Sequence, residues 1–191
     1  MSGLESGQYY HGLIYQPDCH LCPLRFTRMV PPDGPIPTRR VFVGEGPGDM
    51  ELWEGRGFIG PSGVLLWKLD QEFAGSPPRE ESTWVTNAAL CLPKEIKLKT
   101  GVVLRKEKVK ELSVKACRRR LLWELRWVTQ DNPDAVIQPL GKWSYRSVTG
   151  NWKAKIFAMR GSVERVDLIK QCEAYDGPPP VAAHSNAAAT R

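Results

Sequence analysis

Arg40-Val41-Phe42-Val43-Gly44-Glu45-Gly46-Pro47-Gly48 is the stretch on which the fold turns. Val41, Phe42 and Val43 form a short apolar run ending in glycine, the pattern of a buried strand. Behind it, Gly44, Gly46, Pro47 and Gly48 predict a tight turn with bare backbone amides. In open α/β sheets, ligands bind at such carboxyl ends of strands. The spacing is neither Gly-x-Gly-x-x-Gly before a helix nor a Lys-Ser/Thr phosphate loop, which weakens any nucleotide-cofactor reading.

Outward from this turn, Ser62 is the expected N-cap of a helix over residues 63–73, with Val64, Leu65, Leu66 and Leu69 as its apolar side. Residues 83–87 predict a second strand and 135–141 a third, with Pro139 at its end. Residues 155–159 are a further strand candidate. Val109, Leu112, Ala116, Trp123 and Trp127 recur at helical spacing, and Cys117, Leu121, Leu125 and Val128 fill the adjoining stripe. The expected product is a long amphipathic helix whose other face carries Arg118, Arg119 and Arg120. Pro31, Pro32, Pro35 and Pro37 block regular structure before the first strand. Strands alternating with helices imply an α/β fold, with a short, mainly parallel sheet covered on both faces.

The chain has 191 residues, 41% hydrophobic and 25% charged, which suits one globular domain over 1–191 and rules out wholesale disorder. From Asp176 a proline run and an alanine-rich stretch predict a flexible or truncated terminus. No apolar run is long enough for a membrane helix, and the opening residues show no secretory signal. A soluble, cytoplasmic protein without a membrane partner is expected. Five cysteines, an odd number, argue against a closed disulfide framework. The net charge is +6, yet residues 94–126 hold twelve Lys and Arg against four Glu. That segment suits a polyanion partner or, equally, a solvated helix face.

Gly44-Glu45-x-Pro47-Gly48-x-x-Glu51, then Gly55-Arg56-x-Phe58-Ile59-Gly60-x-x-Gly63-x-Leu65-Leu66, resembles the first motif of the iron–sulfur uracil-DNA glycosylases, the thermophile-type family 4. Cys19-His20-Leu21-Cys22 before it, Thr86-Asn87 and Cys91 after it, then Cys117, Leu140-Gly141 and Met159-Arg160-Gly161 follow in the family's order. The resemblance runs from about Cys19 to the end of the chain. It implies a three-layer α/β/α sandwich and hydrolysis of the N-glycosidic bond of deoxyuridine in DNA, the first step of base-excision repair.

By the same resemblance Phe58 stacks on the extruded uracil, in a pocket walled by Gly44 and Gly46. Asn87 reads the Watson–Crick edge: an amide offers an acceptor for N3–H and a donor for O4, which cytosine does not match. Glu51 falls where the family excludes the thymine methyl. Glu45 lies beside the base and polarises water. His184 is the candidate donor to uracil O2, although Ser185 and Asn186 depart from the family's His-Pro-Ser pattern. Cys19, Cys22, Cys91 and Cys117 match the ligands of a four-iron four-sulfur cluster; their spacing alone leaves zinc open. Residues 92–116 form a basic insertion without histidine, which disfavours the covalent uracil-trapping chemistry of a related branch. Lys97, Lys99, Arg105, Lys106, Arg118 and Arg119 are expected along the DNA backbone, with a monomer acting on single- or double-stranded uracil-DNA near the nucleoid. The altered histidine motif keeps a second function in view, a weak or inactive glycosylase-like DNA-binding protein. A zinc-ribbon nucleic-acid protein is a third.

Overall fold

The computed structural model describes residues 15–77, 82–159 and 161–178. Strand β1 (Arg40–Gly44) lies at the centre of a three-stranded parallel sheet of order β2-β1-β5, flanked by β2 (Trp84–Asn87) and β5 (Val136–Pro139). Gly44 pairs with Asn87 at one end, so the glycine turn and the end of β2 open onto the same edge. Alternation along β1 divides its side chains between two layers. Val41 and Val43, with Trp84, pack on α3 (Lys106–Thr129) and α4 (Lys142–Thr149) through Val114, Leu121, Leu125, Val128, Trp143 and Val148. Phe42 faces the other way and meets Trp67 of α2 (Pro61–Ala74) at 5.4 Å between ring centroids. The sheet is thus covered on both faces, as expected.

Four local expectations need correction. Gly60, not Ser62, caps α2, and Pro61 takes the first helical position, where a missing N–H costs nothing. Val64, Leu65 and Leu69 do not face the core; they are 61%, 55% and 41% exposed, because α2 reaches the sheet through Trp67 instead. Residues 155–159 do not form a strand. Ile156–Met159 is a single helical turn, α5, and periodicity cannot separate the two in so short an apolar run. Last, Arg120 does not share an outer face with Arg118 and Arg119: it is fully buried beside an equally buried Glu124.

Inside the basic insertion, β3 (Ile96–Lys97) and β4 (Val103–Leu104) pair as an antiparallel hairpin. Its turn closes at Gly101, where φ is +85°. A short helix α1 (Asp49–Glu54) follows the glycine turn, and α6 (Leu168–Cys172) packs on α3. Arg40 ties the start of β1 to α2 through Asp70 and Ser76. Among the described residues no helix is long and apolar enough to cross a membrane.

Candidate active site

Gly44 stands where two predicted base-contacting residues meet. A β-carbon at this position would overlap Asn87 Oδ1 and come within 3.0 Å of Phe58 Cζ. The end of β1 must therefore be glycine for the amide and the ring to converge on it. Asn87 is only 5% exposed. Among the described residues its side-chain amide has no hydrogen-bond partner. The amide atoms are not among the fully buried ones left without partners, so the amide stays open to solvent beside the aromatic ring.

Phe58 is set by its backbone. It lies in the left-handed region, φ +60°, a conformation that a bulky L-residue adopts only when its surroundings impose it. Gly63 permits this, since a β-carbon there would collide with the Phe58 main chain. Trp67 holds the result by donating its indole N–H to the Phe58 carbonyl at 3.0 Å and meeting the ring edge-on at 6.4 Å.

Glu51 joins the two halves of the motif. One carboxylate oxygen accepts the amide of Gly48 at 3.0 Å, the other that of Gly60 at 2.8 Å. Side chains at either glycine would crowd that carboxylate, with β-carbons 2.7 Å and 2.9 Å from its oxygens. The turn after β1 and the loop carrying Phe58 are thereby clamped to one group.

Glu45 is bonded at both oxygens. Oε2 accepts from Lys110 Nζ at 2.9 Å and Oε1 from the backbone amide of Trp143 at 3.0 Å. The second contact places a carboxylate at the N-terminus of α4, where the helix dipole favours it. Gly141, at φ +113°, leaves room for that approach, since a β-carbon there would lie 2.7 Å from Oε1. Gly46 packs against Pro93, whose ring carbons would be 3.3 Å from an added β-carbon.

Cys19, in the turn Cys19–Leu21, Cys22, Cys91 and Cys117 come from three parts of the chain to one region. Cys22, Cys91 and Cys117 are buried, and the other three thiols all lie within electrostatic reach of Cys91. Burial pushes the Cys91 thiol up to about 12 and that of Cys117 to about 11. Leu24, Met29, Leu90, Val109 and Ala116 pack around them, and the Leu24 amide donates to Cys22 Sγ at 3.3 Å. Among the described residues no three His, Cys, Asp or Glu side chains are grouped so as to hold one metal ion. Cys172, the fifth cysteine, is buried elsewhere, against α3.

The basic residues divide into two sets. Lys97 and Lys99 on the hairpin, with Arg105 and Lys106 at the start of α3, are exposed. Arg118 and Arg119 are half-buried and already engaged. Arg118 donates to the Ser147 carbonyl, Tyr175 Oη and Gln171, and Arg119 to the carbonyls of Asp176, Gly177 and Pro178. A polar hollow of about 430 Å³ lined by Thr149, Glu164, Asp167 and Gln171 contains none of the expected site residues. His184 lies outside the described residues. Sequence reasoning missed Lys110, Trp143, Trp67 and Arg120. Of these only Trp67 had a signal, a lone tryptophan among the leucines of α2.

The family model described as Uracil DNA glycosylase superfamily matches residues 31–183. Over 146 residues the chain is 33% identical to a type-4 uracil-DNA glycosylase of Thermotoga maritima, covering 75% of this chain and 67% of the relative. Type-4 uracil-DNA glycosylases of Sulfurisphaera tokodaii and Saccharolobus solfataricus are 37% and 36% identical over shorter stretches, 39% of this chain and 33% and 35% of theirs. With the glycine turn, Phe58 and Asn87 all inside the matched region, this chain belongs to the uracil DNA glycosylase superfamily.

Proposed function

We propose that this chain excises uracil from DNA by hydrolysing the N-glycosidic bond, opening base-excision repair. The observation that carries the reading is the open amide of the largely buried Asn87 converging with the Phe58 ring on Gly44. A uracil stacked on Phe58 presents N3–H to Oδ1 and O4 to Nδ2. Cytosine reverses both and leaves buried groups unmatched, which costs about 1–3 kcal/mol each.

In the reaction the C1′–N1 bond breaks and its electron pair leaves with the base as an anion. Water adds to the oxocarbenium carbon and gives up a proton, which ends on the departed base anion and leaves neutral uracil. Glu45, oriented by Lys110 and Trp143, polarises that water through its remaining lone pairs. His184 is assigned the stabilising hydrogen bond to uracil O2. Glu51 acts at the pocket wall, against the 5-position of the base, while holding both loops. Cys19, Cys22, Cys91 and Cys117 would hold a four-iron four-sulfur cluster. What supports this is that the other three thiols lie within electrostatic reach of Cys91 and that burial of Cys91 and Cys117 disfavours a bare thiolate. When bound, such a cluster supplies a cross-link between Cys19–Leu21, the segment after β2, and α3. Lys97, Lys99, Arg105 and Lys106 track DNA phosphates, with Arg118 and Arg119 behind them. The protein acts as one domain and a monomer, on single- or double-stranded DNA, in the cytoplasm at the nucleoid.

The test is a uracil-containing oligonucleotide incubated with purified protein and then alkali. Strand scission at uracil is expected, and intact strands at enzyme excess refute the activity. One observation favours a second reading, binding without cleavage: both Glu45 oxygens already have partners. Salt-sensitive retention of uracil-DNA without scission selects it.

A further inference from the structure

Arg120 has no part in the reaction as described, yet it is hydrogen-bonded directly to the main chain of the base-reading residue. Neither Arg120 nor Glu124 has exposed side-chain surface. Arg120 Nη1 donates to Glu124 Oε2 at 2.7 Å and to Thr86 Oγ1 at 3.0 Å, and Nη2 donates to the Asn87 carbonyl at 2.7 Å. Glu124 Oε1 in turn accepts from Trp84 Nε1 at 3.0 Å. Trp84, Thr86 and Asn87 of β2 are thus tied to one turn of α3.

A buried ion pair is a poor choice for stability alone. Desolvation of the two charges offsets most of their attraction, and an apolar pair of similar volume serves as well or better. Leu121, Leu125 and Val128 already supply the apolar contact of α3 with the sheet. What a guanidinium adds is direction, because its donors are fixed in one plane. Arg120 Nε is left without a partner among the described residues, so the head group is placed to serve β2 rather than to satisfy itself. β2 is an edge strand, and the topology explains the need. Val85 bonds outward to Asp33, while the Asn87 carbonyl is taken by Arg120.

We propose that Arg120, held by Glu124, is a positioning residue for base recognition: it fixes the Asn87 main chain so that the open amide is aimed at the base stacked on Phe58. This rests on the reading of Asn87 as the uracil contact.

Arg120→Lys tests it, since an ammonium keeps the charge beside Glu124 but not the planar fork. Well below the variant's own unfolding midpoint, kcat for uracil excision from a single-stranded oligonucleotide should fall about 10- to 100-fold, the penalty of a displaced contact group. Affinity for abasic-site DNA, which offers no base, should stay within about twofold, since it does not sample the Asn87 amide. Thr86→Val removes only one acceptor and covers the case in which the lysine variant does not fold. A loss of about 3- to 10-fold with the same split is expected there. An unchanged kcat in whichever variant folds overturns the proposal, as does a parallel loss of abasic-DNA affinity. If the parent binds uracil-DNA without cleaving it, the readout becomes its preference for uracil- over cytosine-containing strands, which differ at the edge that Asn87 reads. Arg120→Lys should erase that preference, and its persistence overturns the assignment. Asn87→Ala isolates the reading beneath: excision at the parent's rate there means that Asn87 does not contact uracil, a failure distinct from that of Arg120.

Discussion

Trp67 grips Phe58 at two points, the indole N–H on its carbonyl at 3.0 Å and the indole edge against its ring. The carbonyl contact holds the main chain in its left-handed conformation, and the ring contact sets the orientation of the Phe58 ring. Trp67→Phe keeps an aromatic beside the ring but removes the donor. We expect about 1 kcal/mol loss of stability, the net worth of a typical hydrogen bond, read by chemical denaturation. Excision should fall further than that loss explains, because the ring is no longer aimed. Phe58→Ala should cost about 1–3 kcal/mol of transition-state binding, or about 5- to 150-fold in kcat/KM.

Gly44→Ala places a methyl group on Asn87 Oδ1 and against Phe58 Cζ. The strand accepts alanine, so the protein should fold. Uracil excision should drop by about a hundredfold or more, since amide and ring must part by about 1 Å. Circular dichroism beside a glycosylase assay checks both halves; full activity in a folded variant would sink the pocket as drawn.

Glu51→Gln tests the clamp between the two loops. A carboxylate accepts both backbone amides, whereas a carboxamide accepts one and turns a donor toward the other. Destabilisation of about 1–3 kcal/mol is expected, the cost of an unmatched backbone N–H. A Glu51→Gln protein with the parent's unfolding midpoint contradicts the clamp.

Cys91→Ser should yield protein without the visible absorption of an iron–sulfur cluster, with a lowered unfolding midpoint. Serine is a weak ligand in place of a buried thiol. Parent protein that is colourless as isolated from anaerobic preparation, and carries zinc, would replace the cluster with a single ion.

Glu107 provides a pH test. Its hydrogen bond from Lys142, with a further one from the Trp143 indole, holds its carboxyl below the usual carboxylate range. A lowered folded-state value means that the ionised form favours the fold. The contribution is therefore complete above the usual range of about 4 and disappears as pH falls through the depressed value. Unfolding midpoints of parent and Glu107→Gln should differ slightly at pH 7 and converge in acid. A gap that persists through the whole acid limb of the titration would point to packing instead.

Only the glycine turn at Gly44 was legible from residue pattern; Phe58 and Asn87 were singled out by the resemblance, since alone they read as a core phenylalanine and a turn-forming asparagine at a strand end. The partners of Glu45 were not. Lys110 and Trp143 lie 65 and 98 positions away, and only the folding of α3 and α4 onto the sheet brings them in. Arg120 was misassigned because hydrophobic periodicity sends every arginine outward. It turns inward here because the outer edge of β2 has a carbonyl that needs a donor. The leucines of α2 misled in the opposite sense, since one tryptophan makes the contact expected of three of them.

Asn87 and Cys91 are separated only by Ala88, Ala89 and Leu90, none of which has any surface in contact with solvent. There is no slack in that link. An inserted or deleted residue between the two would move the amide away from the Phe58 ring or the thiol away from its neighbours, so a change at one end of the link is felt at the other.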